Sequence, residues 1–95
     1  IFGPDLFFAP VESLEDAVAA ANSTQYGLTF SMFGGSQPEF ESVANEIQAG
    51  CVYWNRPTVG ASSRLPFGGW KRSGNHRPAG IFSIYYTTQA QARIV

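Results

Sequence analysis

The sequence has 95 residues, enough for one domain or part of one, which excludes a complete dinucleotide-binding enzyme and a multi-domain receptor. A hydrophobic fraction of 44% against 14% charged residues describes a packed chain rather than a disordered one. The net charge of −1 hides a division: all seven acidic residues lie between Asp5 and Glu46, and all six basic residues between Arg56 and Arg93. Such a split points to an anionic ligand or an acidic neighbour, unless the basic stretch is simply a solvated loop.

The chain opens on Ile1 rather than Met, which reads as processing or as a piece of a longer protein. Cys51 is the single cysteine, so no internal disulfide forms and a reducing, cytoplasmic setting is expected. No apolar run approaches the roughly 18 residues of a membrane span, and no basic-then-apolar leader stands at the start, so no membrane partner is expected. Nucleic acid is not expected either, because phosphate grips are denser in Lys and Arg. With one Cys and one His, structural zinc is not expected.

In chain order, Leu6–Ala9 reads as a first apolar strand. Ser13 with Asp16 resembles a capping box, and Leu14, Ala17, Val18 and Ala21 recur at helical spacing, predicting an amphipathic helix that stops near Gly27. Leu28–Phe33 follows as a second strand. Ser36 precedes Glu39 by three with Pro38 in the first turn, and Phe40, Val43, Ala44 and Ile47 make the stripe of a second helix ending at Gly50. Cys51–Trp54 is the third strand. The expected class is α/β: a β-α-β-α-β parallel three-stranded core over residues 1–54, covered on both faces. Residues 55–80, rich in Gly and Pro, form a long loop in which Leu65, Phe67 and Trp70 need somewhere to bury. Residues 81–95 read as a turn or short helix followed by an extended strand seeking an edge to pair with.

In open parallel sheets ligands sit beyond the carboxyl ends of the strands, which places Asn55 and the loop after it in the expected site. Gly60, Ala61, Ser62 and Ser63, with Thr58, offer close backbone N–H groups and hydroxyls of the kind that bind carboxylate or phosphate; an ordinary polar turn has the same composition. Phe67 and Trp70 anchor the loop or wall an apolar ligand. Cys51 reads as a buried structural thiol rather than a reactive one, and His76 as a loop hydrogen-bonding residue rather than a base. Three functions of different kinds fit these features: an enzyme segment, a structural or oligomerisation module, and a small anion-binding module.

Three segments carry more than pattern. Ile1-Phe2-Gly3-Pro4, Ala21-Asn22 with Tyr26-Gly27-Leu28, and Ala49-Gly50 leading through Asn55 to Pro66-Phe67-Gly68-Gly69 and Ser73-Gly74 resemble, in order, the C-terminal part of the aldehyde dehydrogenase superfamily. Trp54-Asn55-Arg56-Pro57, Gly60-Ala61-Ser62-Ser63 and Ser73-Gly74-Asn75-His76-Arg77-Pro78 look most like its branch acting on succinylglutamate semialdehyde in arginine catabolism, whereas Arg64-Leu65 and Trp70-Lys71-Arg72 depart from that branch. The resemblance implies an NAD- or NADP-dependent oxidation in which a thiolate attacks the aldehyde, hydride passes to the nicotinamide and a glutamate-activated water frees the acid. The segments bearing that thiolate and that glutamate are not in this sequence, and Cys51 does not fall in the nucleophile motif. No catalytic residue and no metal ligand are therefore expected here, and the chain alone is expected to be inactive. By the same resemblance Phe2 lies by the nicotinamide ring, Phe67 lines the aldehyde tunnel, and Gly60, Ala61 and Ser62 anchor the far carboxylate of the aldehyde; Asn55, nominated by its place after the third strand, completes the expected substrate-binding set. Partners would be the rest of the enzyme and further copies of it, through an oligomerisation strand at Ile84–Val95.

Overall fold

The computed structural model describes residues 2–74 and 79–95. Helix α1 (Leu14–Asn22) starts where Ser13 Oγ accepts the Asp16 N–H at 3.1 Å, with Glu15 and Asp16 in the electropositive first turn. It ends at Asn22, before the expected Gly27. The Ser23 hydroxyl and N–H both donate to the Ala20 carbonyl and close the last turn. Asn22 then ties the two helices together: its Nδ2 donates to the Glu46 carbonyl and its Oδ1 accepts the Gln48 N–H, each at 2.8 Å.

Two short strands follow, β1 (Tyr26–Gly27) and β2 (Thr29–Met32). Helix α2 (Gln37–Glu46) begins on a complete capping box: Ser36 Oγ accepts the Glu39 N–H while the Glu39 carboxylate accepts the Ser36 N–H at 2.7 Å. The Ser36 N–H, and after it the Ser36 hydroxyl at 2.9 Å, donate to the carboxylate and hold the Glu39 carboxyl below its usual range. The helix stops at Glu46, and Ile47 is already extended.

The helices stop short of Gly27 and Gly50, where the sequence reading ends them, and neither glycine has positive φ. Both are glycines because backbones touch there. A Cβ on Gly27 would stand 2.2 Å from the Gln48 carbonyl oxygen, and one on Gly50 would stand 1.6 Å from that of Gly68.

Strand β3 (Cys51–Trp54) pairs in parallel with β2, Thr29 opposite Cys51 through Met32 opposite Trp54, so the β-α-β crossover through α2 is present. The core lies beneath it: Val43, Ile47 and Ala49 are buried, with Val18, Phe30, Met32 and Val52 against them. Val18 and Val43 belong to the predicted helical stripes, whereas Leu14 and Ala21 at the ends of the first stripe are exposed.

The three-stranded core is not formed among the described residues. Leu6–Ala9 has no regular structure, and Phe7 is 87% exposed. A strand needs a ladder, and no described segment offers that run one. The C-terminal strand is corrected too. Instead of extending, Ser83–Thr87 forms a short helix, α3, in which the Thr87 and Thr88 hydroxyls donate to the carbonyls four residues back. Local hydroxyl bonding serves this backbone, which pairs with no strand among the described residues.

The long loop is organised by two further ladders. Strand β4 (Pro66–Phe67) pairs antiparallel with β6 (Ala79–Gly80), and β5 (Trp70–Lys71) pairs antiparallel with β1. The loop is thereby stapled to the end of α1. Lys71 Nζ donates to the Asn22 and Thr24 carbonyls, both at 2.9 Å, placing a cation at the negative end of that helix. Ser73 Oγ accepts the Gly27 N–H at 3.2 Å. With a radius of gyration of 16.9 Å, the chain is more extended than the about 12 Å of a globular domain this long.

Candidate functional site

The site is built at the carboxyl ends of β2 and β3. Asn55 leaves β3 with φ of 53°, a left-handed conformation that Asn tolerates better than most residues. Its N–H continues the ladder to the Met32 carbonyl, and its Oδ1 accepts the Gly34 N–H at 2.8 Å. The neighbouring Trp54 indole donates to the carbonyl of the same Gly34, also at 2.8 Å, and its ring stacks on Phe40 of α2 with centroids 5.5 Å apart. Gly34 is thus gripped on both of its polar groups. The Ser31 hydroxyl donates to the Arg56 carbonyl, which fixes the next residue of the loop against β2.

Beyond this grip two clefts adjoin. The larger, about 530 Å³, is bordered by Tyr53, Arg56, Gly60, Ser62 and Leu65, with Cys51 and Trp54 on the strand side. The smaller, about 290 Å³, is bordered by Ala61, Ser62, Ser63, Phe67 and Gly80. Ser62 belongs to both. Its Oγ accepts the Arg64 N–H at 3.2 Å, which leaves the hydroxyl proton for another acceptor. Gly60 has φ of 81°, so the loop turns there in a conformation that favours glycine.

Of the residues the sequence nominates, Gly60, Ala61, Ser62 and Phe67 come together around these clefts. Asn55 borders neither cleft: it stands just before Arg56 and spends its side-chain oxygen on Gly34. Phe2 is fully exposed, and the described residues by themselves do not build a nicotinamide pocket around it. Cys51 is buried, and desolvation, followed by the neighbouring Cys51, pushes the Tyr53 phenol above its usual range. His76 and the Asn75–Pro78 part of the hexapeptide lie outside the described residues. No three His, Cys, Asp or Glu side chains converge as a metal site among the described residues.

Sequence reasoning passed over two residues. Arg56 was one cation among several, and only its place in the cleft singles it out. Asn22 stands in the Ala21-Asn22 motif with no task that the motif assigns; an Asn closing a helix just before a strand is the available signal.

A glycine-and-hydroxyl loop over an apolar cleft at the carboxyl end of a parallel strand pair is the layout of a small-molecule site in an α/β protein. The chain belongs to the aldehyde dehydrogenase family, whose model matches residues 1–92. It is 45% identical over 86 residues to N-succinylglutamate 5-semialdehyde dehydrogenase of Novosphingobium aromaticivorans, covering 90% of this chain and 18% of that protein. It is 41% identical over 93 residues to the enzyme of that name from Burkholderia thailandensis, covering 98% and 19%. The chain therefore spans about a fifth of the length of these relatives. Among solved structures it is similar to a salicylaldehyde dehydrogenase from Pseudomonas putida, complexed with salicylaldehyde (TM-score 0.74, 32% identity, 80% of this chain and 16% of that one). It is also similar to an NAD+ complex of aldehyde dehydrogenase from Bacillus cereus (TM-score 0.73, 32% identity, 80% and 15%). No helix among the described residues is long and apolar enough to cross a membrane.

Proposed function

We propose that this chain is the substrate-anchoring part of an NAD- or NADP-dependent aldehyde dehydrogenase that oxidises a carboxylate-bearing semialdehyde resembling succinylglutamate semialdehyde. The observation that carries this reading is the convergence of Gly60, Ala61, Ser62 and Phe67 on adjoining clefts in a chain 41–45% identical to enzymes named for that substrate. In this reading the loop N–H groups and the Ser62 hydroxyl hold the far carboxylate, Phe67 lines the aldehyde's path, and Asn55 positions the loop through Gly34. Phe2 faces the nicotinamide in the longer protein. The reacting groups stand outside this chain, so the 95 residues alone are inactive.

The test is reduction of NAD and NADP by the full-length protein carrying this segment, followed with N-succinylglutamate 5-semialdehyde and with pentanal. A marked preference for the anionic aldehyde is expected. Equal or better turnover of pentanal overturns the reading, as does any turnover by the 95-residue chain on its own.

Assembly is a separate part of the proposal. Ile84, Tyr85, Tyr86, Ile94 and Val95 are all exposed, and such an apolar surface favours contact with further copies through Ile84–Val95. Light scattering of the full-length protein with and without residues 84–95 checks this; an unchanged oligomer refutes it.

A further inference from the structure

The loop offers N–H and hydroxyl donors to a carboxylate, but none of them carries a charge. Among the residues bordering the larger cleft, Arg56 is the one that does. Its backbone is set by β2 and the turn after it: Asn55 before it is held to Met32 and Gly34, and its own carbonyl accepts the Ser31 hydroxyl. The guanidinium therefore springs from a fixed point beside the cleft. Among the described residues no carboxylate or carbonyl engages that guanidinium. Arg64, by contrast, borders neither cleft, and Lys71 is committed to the end of α1.

We infer that Arg56 is the specificity-determining residue of this cleft: its guanidinium is the counter-charge for the far carboxylate of the aldehyde, with Ser62 and the Gly60–Ser62 backbone as neutral co-donors. A planar guanidinium offers two parallel N–H groups to a carboxylate, and the charge is what separates an anionic aldehyde from a neutral one of the same length. This assignment rests on the substrate class proposed above and adds the residue that enforces it.

The experiment measures, in the full-length protein, the ratio of kcat/KM for N-succinylglutamate 5-semialdehyde over pentanal. The parent is compared with Arg56→Gln, Arg56→Lys and Arg56→Glu. Arg56→Gln is expected to lower the ratio about 10- to 100-fold, chiefly through KM for the anionic substrate. Arg56→Lys keeps the charge without the fork and loses only about a few-fold. Arg56→Glu falls furthest and shifts preference toward 4-aminobutanal, which carries an ammonium. If the parent prefers the anionic aldehyde and Arg56→Gln leaves that preference intact, the assignment of Arg56 is overturned while the substrate class stands. A parent with no preference overturns both. Should Arg56→Gln fold too poorly to assay, Arg56→Glu decides: an unchanged ratio overturns the assignment.

Discussion

Replacing Gly50 by Ala tests whether the anchoring loop is held by backbone contact at the foot of β3. The added Cβ would stand 1.6 Å from the Gly68 carbonyl oxygen, 2.7 Å from its carbon and 3.1 Å from the Gly69 Cα. Reaching ordinary contact requires the two backbones to part by about 2 Å, and neither side has a flexible side chain that could swing away. Gly50 does not have positive φ, so the alanine adds no backbone strain of its own and the whole effect is steric. Overpacking of this kind costs about 3 kcal/mol, the upper part of its usual range, because the obstructing atoms are main chain. Urea unfolding of the full-length protein, with amide exchange followed over Cys51–Trp54, is the assay. Gly60→Ala is the comparison: it meets nothing within 4 Å but has φ of +81°, and it should cost about 1–2 kcal/mol through backbone strain alone. Asn at position 60 should recover part of that loss, whereas Asn at position 50 should recover none. If Gly50→Ala lies within about 0.5 kcal/mol of the parent, the close approach of Gly50 to Gly68 does not hold the loop.

At the strand end, Asn55→Ala should cost about 1–2 kcal/mol for the left-handed backbone plus the Gly34 bond, while Asn55→Gly should lose only the bond, about 1 kcal/mol; thermal melting separates the two. Lys71→Met removes two donors from the end of α1, and exchange of the amides over residues 20–25 should quicken by an amount worth about 1 kcal/mol or less, since the site is exposed. Glu39 is held below its usual carboxyl range by Ser36, so the capping box contributes stability above the ordinary glutamate value and loses it as pH falls through the lowered one. A pH series of melting temperatures should therefore fall more steeply on the acid side for the parent than for Glu39→Gln, and parallel curves would count against the box.

Helix positions were legible because caps and stripes are local: Ser13, Ser36 with Glu39, and the Phe40–Ile47 spacing need nothing from elsewhere in the chain. The parallel pairing of β2 with β3 was legible for the same reason, through the helix between them. The ends of the helices were misplaced because a glycine announces only permission. Whether Gly27 and Gly50 turn the chain or admit another backbone is settled by Gln48 and Gly68, which lie 21 and 18 residues away in sequence. Leu6–Ala9 and Ile84–Thr88 have strand composition, but a strand is a relation between two segments, and among the described residues neither finds its second. Of the site, Gly60, Ala61, Ser62 and Phe67 could be nominated by residue type and resemblance. That Asn55 faces Gly34, and that Arg56 borders the cleft, depends on the exact exit of β3, which composition does not carry.

The double grip on Gly34 makes its amide a reporter. That N–H is held by the residue immediately before Arg56, and the Gly34 carbonyl by Trp54, which borders the larger cleft. On the role proposed for Arg56, a bound anionic aldehyde would slow the opening of the Gly34 bond, and protection of a single amide in the turn ahead of α2 would gauge occupancy of the cleft. It would read out binding even in a protein whose chemistry has been disabled.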